Sequence, residues 1–73
     1  QEAIDQAQKS VPHDHPNRQE HIIRKIAAIH YGGPGNMENY MDREPQAGGY
    51  PSFYDYGSNI WNNYKAGGTM GGY

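Results

Sequence analysis

Cysteine is absent from this 73-residue chain. That excludes a disulfide framework, cysteine-ligated zinc and a thiol nucleophile. Leucine is absent too, so six Ile, one Val and one Phe, 8 of 73 residues, carry the aliphatic and phenyl surface. A content of Leu, Ile, Val and Phe below about 20% predicts poor capacity for an independent core. Long apolar runs are also missing. The longest aliphatic stretch is Ile26-Ala27-Ala28-Ile29, whereas a membrane-spanning helix needs about 20 apolar residues. A basic excess is missing as well, because six Lys and Arg face eight Asp and Glu for a net charge of −2. Such a balance lacks the electrostatic footprint of a nucleic-acid binder. The chain starts at Gln1 rather than at a methionine. We read this as favouring a processed product, secreted or organellar, with the compartment otherwise open.

What is present divides at Tyr31-Gly32-Gly33-Pro34-Gly35. Residues 1–31 are polar with helical periodicity. Residues 32–73 hold all ten glycines and six of the seven tyrosines. The first half reads as a helical segment, and the second as a Gly/Tyr-rich extended tail with short helical turns.

The strongest local signal is a helix over 18–31. Asn17 stands at the N-cap and Glu20 three residues on, in capping-box spacing. Ile22, Ile23, Ile26 and Ile29 form one apolar stripe, leaving Arg24, Lys25 and Ala28 off it. Gly32 and Gly33 suit a C-cap and Pro34 a stop. Weaker helices are expected over 1–10, which Pro12 ends, and over 36–43 and 58–65. Asn36 and Ser58 are the candidate caps of the last two. The stretch 49–57 reads as turn or extended chain, because Pro51 and Gly57 leave no room for a strand. The expected fold is a mainly irregular or extended chain with a few short helices, no sheet and no autonomous globular core. Such a chain needs a partner, self-association or partial disorder.

No catalytic motif stands out. Gly-x-Ser-x-Gly, a P-loop lysine and the dinucleotide-binding fingerprint are all missing. Gly32-Gly33-Pro34-Gly35 follows a helix where a phosphate cradle precedes one. Glu38, Asp42 and Glu44 lack the apolar enclosure that would split carboxylate pKa values for acid–base work. The expectation is no enzyme and no cofactor. His13-Asp14-His15 is an alternating pair that, with His21, offers imidazoles to zinc or copper. The simpler reading of Pro12 to Pro16 is a polar connector between helices.

The aromatics are the most unusual feature. Seven Tyr with Phe53 and Trp61 fall within residues 31–73. Tyr and Trp bury large areas with few rotatable bonds and are enriched as interface anchors. Stacking on single-stranded nucleic acid would also need a cationic groove. Here only Arg43 and Lys65 stand against Glu38, Asp42, Glu44 and Asp55. In composition alone, residues 31–73 resemble adhesive, cuticular and prion-like low-complexity sequences, a resemblance that implies self-association.

These features predict a non-catalytic structural or accessory subunit. Its helix face of Ile22, Ile23, Ile26 and Ile29 would pack into a larger complex or against its own copies. Its tail would drape over neighbouring surface with Tyr40, Phe53, Trp61 and Tyr64 as anchors. The alternatives are a self-assembling fibre or matrix protein, and a small metal-binding segment built on His13, His15 and His21.

Overall fold

The computed structural model describes residues 2–67. Three α-helices account for most of them: α1 (Glu2–Ser10), α2 (Arg18–Gly32) and α3 (Phe53–Lys65). Two 3₁₀ helices lie between the last two, η1 (Pro34–Asn39) and η2 (Ala47–Gly49). Among the described residues the only extended pairing is an isolated antiparallel bridge between Gln46 and Tyr50.

The expectation of a mainly irregular chain without its own core is overturned. The structure is 69% helical and compact, with a Cα radius of gyration of 11.7 Å. The physical reason lies in α2. Its residues Ile22 to Ile29 are all buried in succession, because α1, η1 and α3 each pack against it. The isoleucine stripe therefore faces the molecule's own interior. Ile22 and Ile26 join Ala7 and Val11 in one apolar cluster. On another side Ile23 and Ala27 meet Ile60, with Tyr56 and Trp61 laid against them. Small Ala7, Ala27 and Ala28 are nearly inaccessible, so the helices approach closely and a short supply of large aliphatics suffices.

Arg24 and Lys25, off the stripe, are each only 5% exposed. Their long apolar stems serve as core while their charged ends find partners. Arg24 Nε donates to Glu20 Oε2 at 2.8 Å, and its Nη1 donates to Tyr54 O at 3.2 Å and to Ser58 Oγ at 3.0 Å. The guanidinium also lies 4.5 Å from the centre of the Tyr54 ring. Lys25 Nζ donates to Ser10 Oγ at 2.9 Å and, more loosely, to Glu38 Oε2 at 3.4 Å. Arg24 thus ties α2 to α3, and Lys25 ties it to the end of α1 and to η1. No buried side-chain nitrogen or oxygen among the described residues lacks a partner.

Helix ends depart from expectation in instructive ways. Asn17 makes no side-chain cap bond, its φ of −115 and ψ of 42 lying outside the extended conformation of an N-cap. The reciprocal half of the box is also missing, since the Asn17 N–H donates to His15 Nδ1 and Glu20 pairs with Arg24. The C-terminus of α2 ends as expected on glycine, with Gly33 at φ +95 donating its N–H to Ile29 O. Pro34 then opens η1 instead of starting a loop, its fixed φ and missing N–H suiting a first helical position. The helix expected over 36–43 is replaced by this earlier 3₁₀ helix, which ends at Asn39, so that residues 40–43 are not helical. The helix expected over 58–65 starts five residues sooner, at Phe53. Ser52, 1% exposed, caps it by accepting from the Asp55 N–H at 3.1 Å. Residues 53–57 are therefore helical and not extended, and Gly57 lies buried within α3.

Candidate functional site

Two side-chain groupings stand out on this frame. The first is polar and sits where the α1–α2 connector, α2 and the end of η1 meet. His15 belongs to two consecutive turns, its N–H donating to Pro12 O at 3.1 Å and its carbonyl accepting from the Arg18 N–H at 3.2 Å. Its Nδ1 accepts the Asn17 backbone N–H at 3.2 Å. That fixes the His15 ring against His21 on α2, with ring centres 4.5 Å apart. His21 Nδ1 is in turn 2.7 Å from the Tyr40 hydroxyl. Lys25 Nζ lies 5.1 Å from the Tyr40 ring centre.

Partial burial is the main cause that lowers the His21 pKa from its ordinary 6.5; His15, Arg24 and Lys25 add to this, and Glu20 opposes them. Burial, then Glu38, raises the Tyr40 phenol above its ordinary 10.0 against the pull of Arg24. Both groups are therefore neutral near pH 7. With His21 in its Nε2–H tautomer, the phenol donates and Nδ1 accepts.

Sequence reasoning singled out His13, His15 and His21 for metal and Tyr40 for an interface. The structure brings His15, His21 and Tyr40 together. His13 is exposed. Among the described residues no group of three or more His, Asp or Glu is arranged to hold a metal ion. The bond to Asn17 also bears on ligation. A neutral His15 accepting at Nδ1 carries its proton on Nε2, which removes that nitrogen's lone pair from use.

The second grouping is aromatic. Tyr31 at the end of α2 stacks on Tyr56 at 4.3 Å and meets the Phe53 ring edge-on at 5.4 Å. Its hydroxyl donates to Pro51 O at 2.6 Å. Tyr31, Gly32, Gln46, Tyr50 and Phe53 enclose an open, mostly apolar groove of about 290 Å³. Gly32 is needed there, because a Cβ would stand 2.6 Å from Phe53 Cζ. The η2 turn, with Gly48 and Gly49 at φ +79 and +81, carries Tyr50 to the rim, where it is 65% exposed.

The remaining candidate anchors divide by accessibility. Ile22, Ile23, Ile26, Ile29 and Phe53 are core residues. Trp61 is half-buried and stacks on Tyr64 with centres 5.8 Å apart. Tyr64 is 40% exposed, and its hydroxyl accepts from Gln19 Nε2 at 3.2 Å, joining the end of α3 to the start of α2. Beside it in exposure stand Met41 at 44% and Ile4 at 38%. Tyr50 and the Arg24 hub were not read as site residues. Glu20 four residues before Arg24 was the available signal for the hub. The end of the glycine-rich half, residues 68–73, lies outside the described residues. No helix among the described residues is long and apolar enough to cross a membrane. The chain matches no protein-family model, and no curated protein or solved structure is significantly similar to it.

Proposed function

We propose that this chain is a non-catalytic accessory module that works through protein–protein contact. The isoleucine face is spent on the chain's own core, so the contact is assigned to the aromatic surface around Tyr50. The observation that supports it most is Tyr50 itself, a large aromatic side chain 65% exposed beside a groove walled by Tyr31 and Phe53. Aromatic side chains held by rigid backbone bury area at low entropic cost when a partner covers them. The perturbed groups, His21 and Tyr40, bond to each other. Burial raises the Tyr40 pKa and so disfavours the phenolate that nucleophilic attack would need, which supports the non-catalytic reading.

A photo-crosslinking residue at position 50, compared with one at exposed Asp5, tests this in the native source. One discrete crosslinked protein at position 50, absent at position 5, is expected, together with loss of that species for Tyr50→Ser in untagged competition. Equal or absent crosslinking at both positions refutes the reading. A crosslink to a second copy, with assembly growing with concentration, replaces the accessory role with a self-assembling matrix protein.

A further inference from the structure

The polar junction has a design that the accessory role does not require. Its two imidazoles are packed ring to ring, and each is committed through Nδ1. The Asn17 donor that His15 accepts is a backbone N–H, which cannot reverse its role. A proton on His15 Nδ1 therefore converts a bond into a repulsive contact between two N–H groups. A tyrosine hydroxyl can reverse, so the His21–Tyr40 bond survives protonation in a changed sense. Charge on both rings, however, sets two cations 4.5 Å apart.

The surroundings neutralise them only in part, since Glu20 favours the charged His21 ring while Arg24 and Lys25 oppose it. From α2 itself, His21 faces Glu20, Arg24 and Lys25; from the connector it faces His15; from the end of η1 it faces Tyr40. Two carboxylates at the junction are already paired, Glu20 with Arg24 and Glu38 with Lys25, and Asp14, next to His15 in the connector, is exposed to solvent. With both rings charged the junction therefore gathers four cations, His15, His21, Arg24 and Lys25, against two carboxylates that already hold ion pairs and the exposed Asp14.

What the junction holds is a weakly attached element. α1 has nine residues, a length that is marginal as a free helix. It is held by Ala7 and Val11 in the core, by Lys25 on Ser10, and by Arg18 donating to Val11 O at 3.3 Å and Gln8 O at 3.1 Å. The α2–α3 contact has its own cluster and the Arg24 clamp, and shares none of these groups.

We propose that His15, His21 and Tyr40 form an acid-sensitive latch, which on protonation releases the connector and α1 from α2 and leaves α2 packed on α3. Opening bares Ile22 and Ile26, the apolar face that the closed chain hides. This goes beyond the accessory reading and does not depend on it, since it concerns the free chain.

The test is segment-resolved amide hydrogen exchange on the full chain at about pH 7.5 and about pH 5, corrected for the intrinsic pH dependence of exchange. The latch predicts that residues 3–17 lose protection by about tenfold or more at the lower pH, while residues 53–65 change by less than about twofold. In His21→Gln the loss should shrink to the part that His15 carries through its bond to Asn17, and in the double variant His15→Gln/His21→Gln the protection of residues 3–17 should become nearly independent of pH. Parallel loss in both segments overturns the proposal in favour of global acid unfolding, and unchanged protection of residues 3–17 in the wild type overturns it outright. Should His21→Gln fail to fold, His15→Gln, in the connector outside the helices, replaces it. Full retention of the wild-type pH response in that variant also overturns the latch.

Discussion

Removing Arg24 should separate the polar and apolar contributions of the α2–α3 clamp. The guanidinium makes two hydrogen bonds to α3, at 3.2 Å to Tyr54 O and 3.0 Å to Ser58 Oγ. Each contributes about 0.5–1.5 kcal/mol net, and the cation–π contact with Tyr54 adds about 0.5–1 kcal/mol. The ion pair with Glu20 counts for little, because that carboxylate side chain is 31% exposed and rehydrates once freed. The polar part is then about 2 kcal/mol, and the buried stem adds about 1–2 kcal/mol. Arg24→Met keeps most of the stem and should cost about 2 kcal/mol, and Arg24→Ala about 3–4 kcal/mol. A 73-residue domain has a total stability of about 4–11 kcal/mol, so the alanine variant loses a large share. Urea unfolding followed by Trp61 fluorescence reads both values, since Trp61 lies against the Ile23–Ala27–Ile60 cluster. A cost under about 0.5 kcal/mol for Arg24→Ala, the range of an ordinary surface change, would refute the hub.

Further outcomes follow from particular contacts. Gly32→Ala places a Cβ 2.6 Å from the buried Phe53 ring and should cost about 1–3 kcal/mol; Gly57→Ala meets Arg24 at an ordinary 3.4 Å and should stabilise by about 0.5–1 kcal/mol through helix propensity. Paired thermal melts check both, and equal signs would contradict the packing of these glycines. Ser52→Ala removes the α3 cap and should cost about 1 kcal/mol, with fraying at Phe53 to Asp55 visible in amide chemical shifts. The contribution of His21 is fully present above its unfolded value of 6.5, because its folded pKa is the lower one. As pH falls through 6.5 the unfolded chain takes the proton first and stability drops, levelling below the folded value. The difference in melting temperature between wild type and His21→Gln across this window checks the sign, and a difference that grows on acidification would contradict it.

Much of the helical layout was legible in the residues. The isoleucine spacing and Gly33 define α2, whereas of the apolar positions Ala3, Ile4, Ala7 and Val11 in the α1 region only Ala7 and Val11 are buried and Ile4 is 38% exposed. The fate of the isoleucine face was not legible. A stripe of four isoleucines looks the same whether it meets a partner or the chain's own α1 and α3. Composition misled because it counts Arg24 and Lys25 as polar, although their stems fill core positions once Tyr54, Ser10 and Glu38 receive their ends. The start of α3 was obscured by Pro51 and Gly57. Ser52 with Asp55 three residues later was the available cap signal. At the junction, His21 and Tyr40 are 19 residues apart, and no local spacing rule joins such a pair.

The central claim is that the chain folds by itself around α2. Small-angle X-ray scattering on the isolated chain at two concentrations tests it most directly. The structure has a Cα radius of gyration of 11.7 Å, and a compact chain of this length is expected at about 11 Å against about 26 Å unfolded. A concentration-independent value near the smaller figure is predicted. A value near the larger one would contradict autonomous folding and return the isoleucine face to a partner.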